Sequence, residues 1–312
     1  MSDQPPLVVE ECLTRRQMAL VAMLAPVVMF EGFDISLSSV VLPYLAKDYG
    51  ASPGHLGRAL AAVALGAIVA CFFIRLADRF GRRPILLVSA GGFALASLTT
   101  TLTTGVLSYA GIQFVARILL VTQMSLAYLI VAETLPPRIR GRANGALGSL
   151  GSLGAALPFL MLGKAVESPL GWRFLFVIGA APLLILPLLV WKLTETPLWL
   201  AARGATVTRT SLWAEFRLLW APDLRRRFVA MSLLWFIVNF ASATAALFFT
   251  LYVVQERGWP ASDLAILAPF GLASAFFGSV AAGILMDRIG RRYTLCLLMC
   301  MIGVFTIVAY RS

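Results

Sequence analysis

Nine runs of mostly apolar residues, each long enough to cross a bilayer, set the limits on this chain. They lie at 18–45, 56–77, 85–103, 106–132, 143–166, 173–193, 227–254, 263–286 and 294–310. A spanning helix needs about 20 such residues. Lipid offers no partner to backbone N–H and C=O groups, so an open chain crosses only as helix. The runs therefore predict an all-α polytopic membrane protein. Composition agrees: 60% of residues are apolar and 13% charged, against about 25% charged in soluble domains. A soluble enzyme and a disordered tail are both excluded.

The charge balance, 26 Lys+Arg against 15 Asp+Glu, gives +11. This excess does not signal nucleic acid, because the basic residues sit in short clusters between apolar runs. They crowd alternate loops: Arg15 and Arg16, Arg75 to Arg83, Arg138 to Arg142, Lys192 to Arg227, and Arg288 to Arg292. The positive-inside rule then places the N-terminus in the cytoplasm, with the chain in the cell (inner or plasma) membrane. The polar start lacks the pattern of a cleavable signal, so the first span is expected to remain as an anchor. Residues 1–17 form a cytoplasmic segment, 18–193 a bundle of six spans, 194–226 a cytoplasmic linker, and 227–312 three further spans. Within the linker, Ser211–Trp220 has helical apolar spacing and predicts a short helix on the membrane surface. No nucleotide loop, metal-ligand cluster or nucleophile–base pair is present. The reading is therefore of a protein that is not an enzyme and needs no metal.

Two segments repeat. Leu76–Arg83 (LADRFGRR) and Leu285–Arg292 (LMDRIGRR) agree at six of eight positions, 209 residues apart. Span seven begins at the same offset from span one. Six spans, a linker and the start of a second similar set are the mark of a secondary transporter. By the same offset the second set would end at about residue 402. The expectation is an incomplete three-helix C-terminal bundle, from a fragment or a truncated product.

Three charges lie inside spans. Glu31 and Asp34 sit midway along the first, with Ser38 continuing their face. A carboxylate at that depth costs at least about 2.5 kcal/mol unless it pairs or meets a wet cavity. Such a pair can load and release a proton. A structural acceptor role for one of them is the plainer alternative. Arg117 lies at similar depth in span four, with Gln113 and Tyr128 on about the same face. Its fork of donors suits a carboxylate, either Glu31, Asp34 or a substrate anion. Asn239 and Ser242 in span seven are candidate substrate contacts, or simply helix bridges.

These motifs resemble the major facilitator superfamily. Its loop signature G-x-L-A-D-R-x-G-R-R is matched by Gly283, Leu285, Asp287, Arg288, Gly290, Arg291 and Arg292, with Met286 in the alanine's place. The first copy keeps Leu76, Ala77, Asp78, Arg79, Gly81, Arg82 and Arg83, with Ile74 in the leading glycine's place. Glu133–Gly141 is similar to the loop after span four of sugar and organic-acid porters, which adds Glu133 and Arg142 to the gating set. Glu195–Leu200 resembles the family's PESPRWL stretch. Glu31-Gly-Phe-Asp34 resembles the D-G-F-D of aromatic-acid/proton symporters.

The resemblance implies the major-facilitator fold, with the paired loops latching one bundle to the other. It also implies that the small residues of span five (Gly145, Gly148, Gly151, Gly154) face those of span eight (Gly271, Ser274, Gly278). The expected function is proton-coupled symport of a small organic or aromatic acid by alternating access. The expected partners are the substrate anion, protons and the lipid bilayer. The chain is expected to act as a monomer, with no cofactor beyond the proton gradient. A sugar-type or drug-type facilitator on the same fold, or a non-transporting membrane protein, are the alternatives.

Overall fold

The computed structural model describes residues 14–203, 217, 220–260 and 288–311, with isolated positions between 263 and 285. These residues are helix, turn and loop, with no strand among them. Helix α1 (Arg15–Asp48) opens on a reciprocal cap, in which Gln17 N–H donates to Thr14 Oγ1 and the Thr14 N–H to Gln17 Oε1. Such a box satisfies two of the backbone donors that every helix start leaves free. There follow α2 (Pro53–Ala64), α3 (Gly66–Phe80), α4 (Arg82–Thr100), α5 (Val106–Thr134), α6 (Pro137–Glu167), α7 (Arg173–Gly179), α8 (Pro182–Lys192) and α9 (Pro197–Arg203). Two more helices are Pro222–Gln255 and Arg291–Arg311.

Six helical stretches are long and apolar enough to cross a membrane: Arg15–Asp48, Pro53–Phe80, Arg82–Thr100, Val106–Thr134, Ile139–Glu167 and Arg173–Lys192. They overlie the first six apolar runs. Run seven falls within Pro222–Gln255, and run nine within Arg291–Arg311. Most of run eight, and Ser211–Trp220 apart from Arg217 and Trp220, lie outside the described residues.

Two spans that read as continuous are broken. Span two turns at Leu65 between α2 and α3. The next residue, Gly66, sits so close to α5 that a Cβ there would stand 2.8 Å from the Phe114 carbonyl oxygen. Span six breaks at Ala180–Ala181, just before Pro182. Proline lacks the N–H that would continue the ladder and disfavours helix in the residue before it.

Helix α1 is the centre of the first bundle. Its nearest neighbour is α6, and glycine makes the approach possible: a Cβ on Gly32 would fall on the Gly151 carbonyl, and one on Gly154 on the Met29 carbonyl. Two small residues of span five, Gly151 and Gly154, thus meet α1; most of span eight, their expected counterpart, lies outside the described residues. Two apolar cores flank this crossing. Toward the Asp48 end, Leu37, Val40 and Leu42 pack with Trp172, Phe176, Leu251 and Val253. Toward the other end, Leu24, Val27 and Val28 pack with Leu126, Leu147 and Leu189. The first core reaches into the helix Pro222–Gln255. There Ser39 Oγ donates to the Leu247 carbonyl at 2.9 Å and lies 3.3 Å from Thr250 Oγ1.

Candidate functional site

Successive side chains on a helix turn by about 100°. Gly32 faces α6, so Glu31 and Asp34 project from the other side of α1, about 60° apart. Both are buried, at 8% and 5% exposure. Arg117 of α5 is half-buried and within electrostatic reach of both carboxyls. Its own backbone is held close to the span-two break, with its Cβ 3.3 Å from where a Gly66 Cβ would be. Glu31, Asp34 and Arg117 take no part in the ion pairs seen at Asp78–Arg82, Glu133–Arg82 and Asp48–Arg173. The Arg117 Nε is buried without a hydrogen-bond partner. Three charges therefore share one interior region without being consumed by a direct salt bridge. An unpaired buried donor costs about 1–3 kcal/mol, more when charged.

The other candidates divide. Tyr128 is half-buried and near Glu31. Gln113 is buried but its amide donates to Thr100 Oγ1 of α4 at 2.8 Å, which turns it from Arg117 toward the α4–α5 seam. Asn239 is exposed, and its amide donates to the Trp235 carbonyl one turn back on its own helix at 2.9 Å. The side chain of Ser242 lies outside the described residues.

Sequence reasoning missed Tyr109. It is 2% exposed, its hydroxyl lies beside Ser38 within electrostatic reach of Asp34, and that hydroxyl has no well-formed hydrogen bond. The Tyr109 ring packs edge-on against Phe176, with centroids 6.2 Å apart. A polar-tipped ring in an apolar run was the available signal, since a buried tyrosine hydroxyl normally finds a partner.

A second polar cluster forms where α3 meets α4. Gly81 takes φ +110, and a Cβ there would strike the Glu195 carboxylate. Only glycine adopts that conformation without strain. The turn lets Glu195 receive the backbone N–H of Arg82 at 3.0 Å and of Arg83 at 3.2 Å, capping α4. Arg82 reaches Glu133 through Nε and Nη2, at 3.1 and 2.9 Å. It also reaches Asp78 at 2.9 Å and the Ala77 carbonyl at 3.0 Å. Thr196 Oγ1 donates to Glu133, Trp199 Nε1 to the Asp78 carbonyl, and Arg83 Nη2 to the Val190 carbonyl. Arg79 lies over the Phe80 ring. The loop, the end of span four and the end of span six, three segments far apart in sequence, meet at one node. Glu195 was read only as part of a motif, yet it is the residue that ties the node to α4.

The second copy of the loop is less fully seen. Gly290 takes φ +85, and Arg288 and Arg292 are exposed. Gly283 and Asp287, and the side chains of Arg291 and Arg142, lie outside the described residues. At the opposite end of the first bundle a third cluster, also missed, joins α1 to α7. The Trp172 Nε1 donates to Asp48 at 2.7 Å, and Arg173 reaches both Asp48 at 3.0 Å and the Thr103 carbonyl at 3.2 Å.

A bundle of apolar helices with charges held inside it defines a multi-pass membrane protein of transporter type. Residues 24–311 match the Major Facilitator Superfamily family model, and the chain belongs to that superfamily. Among curated relatives it is 30% identical over 188 residues to a gallate transporter of Pseudomonas putida, covering 59% of this chain and 41% of the relative. It is 24% identical over 293 residues to a niacin transporter of Acinetobacter baylyi, covering 86% and 66%. The chain thus spans two thirds or less of the length of these relatives. They are transporters, not enzymes. Among solved structures, a bacterial homolog of the human lysosomal transporter Spinster, inward-facing and unoccupied, superposes with a TM-score of 0.71. It does so at 19% identity, over 90% of this chain and 64% of the other.

Proposed function

We propose that this chain carries out secondary active transport of a small organic acid, with an aromatic carboxylate the best fit, in symport with a proton. The observation that carries the proposal is the buried Arg117 Nε without a partner, within reach of two buried carboxyls that form no salt bridge with it. A substrate carboxylate would complete the guanidinium. Its negative charge would also offset the attraction Arg117 exerts on Glu31 and Asp34, so that anion binding and proton binding favour each other. That reciprocity is what symport requires. Relatives named for gallate and niacin transport support the substrate class. In this reading the N-terminus is cytoplasmic, the membrane is the cell membrane, the protein works as a monomer, and the proton gradient supplies the energy without a cofactor.

The test is uptake of benzoate-type acids into vesicles carrying the protein under an imposed proton gradient. Accumulation that collapses with a protonophore is the expected result. Unchanged coupled uptake in Glu31→Gln and Asp34→Asn together would remove the proton role. A sugar-type facilitator is favoured by the Glu195–Leu200 stretch, and competition by hexoses but not by aromatic acids would select it.

A further inference from the structure

The helix Pro222–Gln255 begins with three consecutive arginines, Arg225, Arg226 and Arg227, in its first turns. All three are exposed, as is Arg217 just before the helix. None of the four side chains has an ion-pair or hydrogen-bond partner among the described residues. Glu215–Arg227 holds four arginines against two acids, Glu215 and Asp223. Cations in the first turn of a helix are disfavoured by its dipole. The two acids leave an excess of two positive charges on this segment. Consecutive positions also fan the three guanidinium groups over about 200° of the helix perimeter, too wide for a single carboxylate to serve.

The surroundings are those of a membrane interface. Trp220 is half exposed and packs edge-on against Phe228, with centroids 6.4 Å apart, and Leu224 is similarly exposed. Beyond the arginines the same helix presents Met231, Trp235, Phe236 and Phe240 outward. The order is thus basic cluster and aromatic anchor, then apolar surface. This is the order of a segment passing from phosphate groups into hydrocarbon. We propose that Arg217, Arg225, Arg226 and Arg227 form a docking surface for anionic phospholipid headgroups, with Trp220 and Leu224 seated among the adjoining acyl chains. The partner is identified by charge complementarity: guanidinium forks match phosphate oxygens, and each arginine near an anionic leaflet adds attraction. The proposal does not depend on the transport reading.

The test uses the full chain in mixed micelles of phosphatidylglycerol and phosphatidylcholine, with retained lipid counted by native mass spectrometry. The wild type should retain phosphatidylglycerol in preference. The triple change Arg225→Gln, Arg226→Gln, Arg227→Gln should reduce that retention at least about tenfold and up to about hundredfold. A triple change to lysine should preserve most of it, and Arg58→Gln, at the other end of the first bundle, all of it. The lysine protein keeps the experiment decisive if the glutamine protein does not fold. Equal retention of both lipids by the wild type, retention by the glutamine protein equal to wild type, or loss in the lysine protein equal to a protein without the charges would overturn the proposal.

Discussion

Two groups of charges in the first bundle follow opposite rules. At the α3–α4 turn every charged group that Arg82 meets is engaged, with Glu133 and Asp78 both at 2.9 Å and Glu195 spent on backbone N–H groups. At mid-bundle Glu31, Asp34 and Arg117 share a region yet form no salt bridge. Burial alone does not explain the difference, because Arg82 and Glu133 are also only 12% exposed. At the turn the Arg82 contacts hold three segments in register, although Arg83 Nε there is buried without a partner. The mid-bundle group leaves Arg117 Nε buried and without a partner, which the proposed function assigns to a substrate anion. The Arg82 network should therefore matter for stability, and the mid-bundle group for ligand and proton.

Substitutions can break that comparison. The largest effect is expected for Arg82→Gln, which strands Glu133 in a part-buried site and should cost about 3 kcal/mol, read as a lower Tm of the solubilised protein. An unchanged Tm would mean the turn is not a stabilising node. Arg117→Gln should do the reverse. Binding of a benzoate-type acid should weaken about hundredfold, while Tm stays the same or rises because a buried Nε without a partner is removed. A large fall in Tm with binding intact would reassign Arg117 to structure. Trp172→Phe removes one hydrogen bond to a charged acceptor, Asp48, and should lower stability by about 1.5 kcal/mol without changing acid binding. Asn239→Ala should alter binding and stability by less than about 0.5 kcal/mol, since its amide serves only its own helix. A loss of binding there would place span seven in the substrate path.

Much of the fold was legible because lipid imposes a length rule on apolar runs, and six spans lie where that rule put them. The breaks at Leu65 and at Ala180–Ala181 were not, because each depends on a neighbour or on a local ladder defect inside an otherwise uniform run. Glu31, Asp34 and Arg117 could be singled out because a charge is conspicuous in a span. Their convergence was only a possibility until α1 and α5 were set side by side. Gln113 went to Thr100 because helix spacing says which face a residue shares, not which neighbour that face meets. The same limit hid the glycine contacts: small residues announce a close approach, while tertiary packing decides that α1 is the partner. Glu195 and Asp48 escaped notice because loop carboxylates are ordinary until their donors are seen.

The central claim is that the mid-bundle charges couple an organic anion to a proton. The most direct measurement follows a pH-indicating dye in weakly buffered, solubilised protein as benzoate-type acid anion is added. Net proton uptake on binding by the wild type, abolished in the Glu31→Gln, Asp34→Asn double variant while the acid still binds, is the predicted result. Binding with no proton change in the wild type, or an equal change in the double variant, would contradict it.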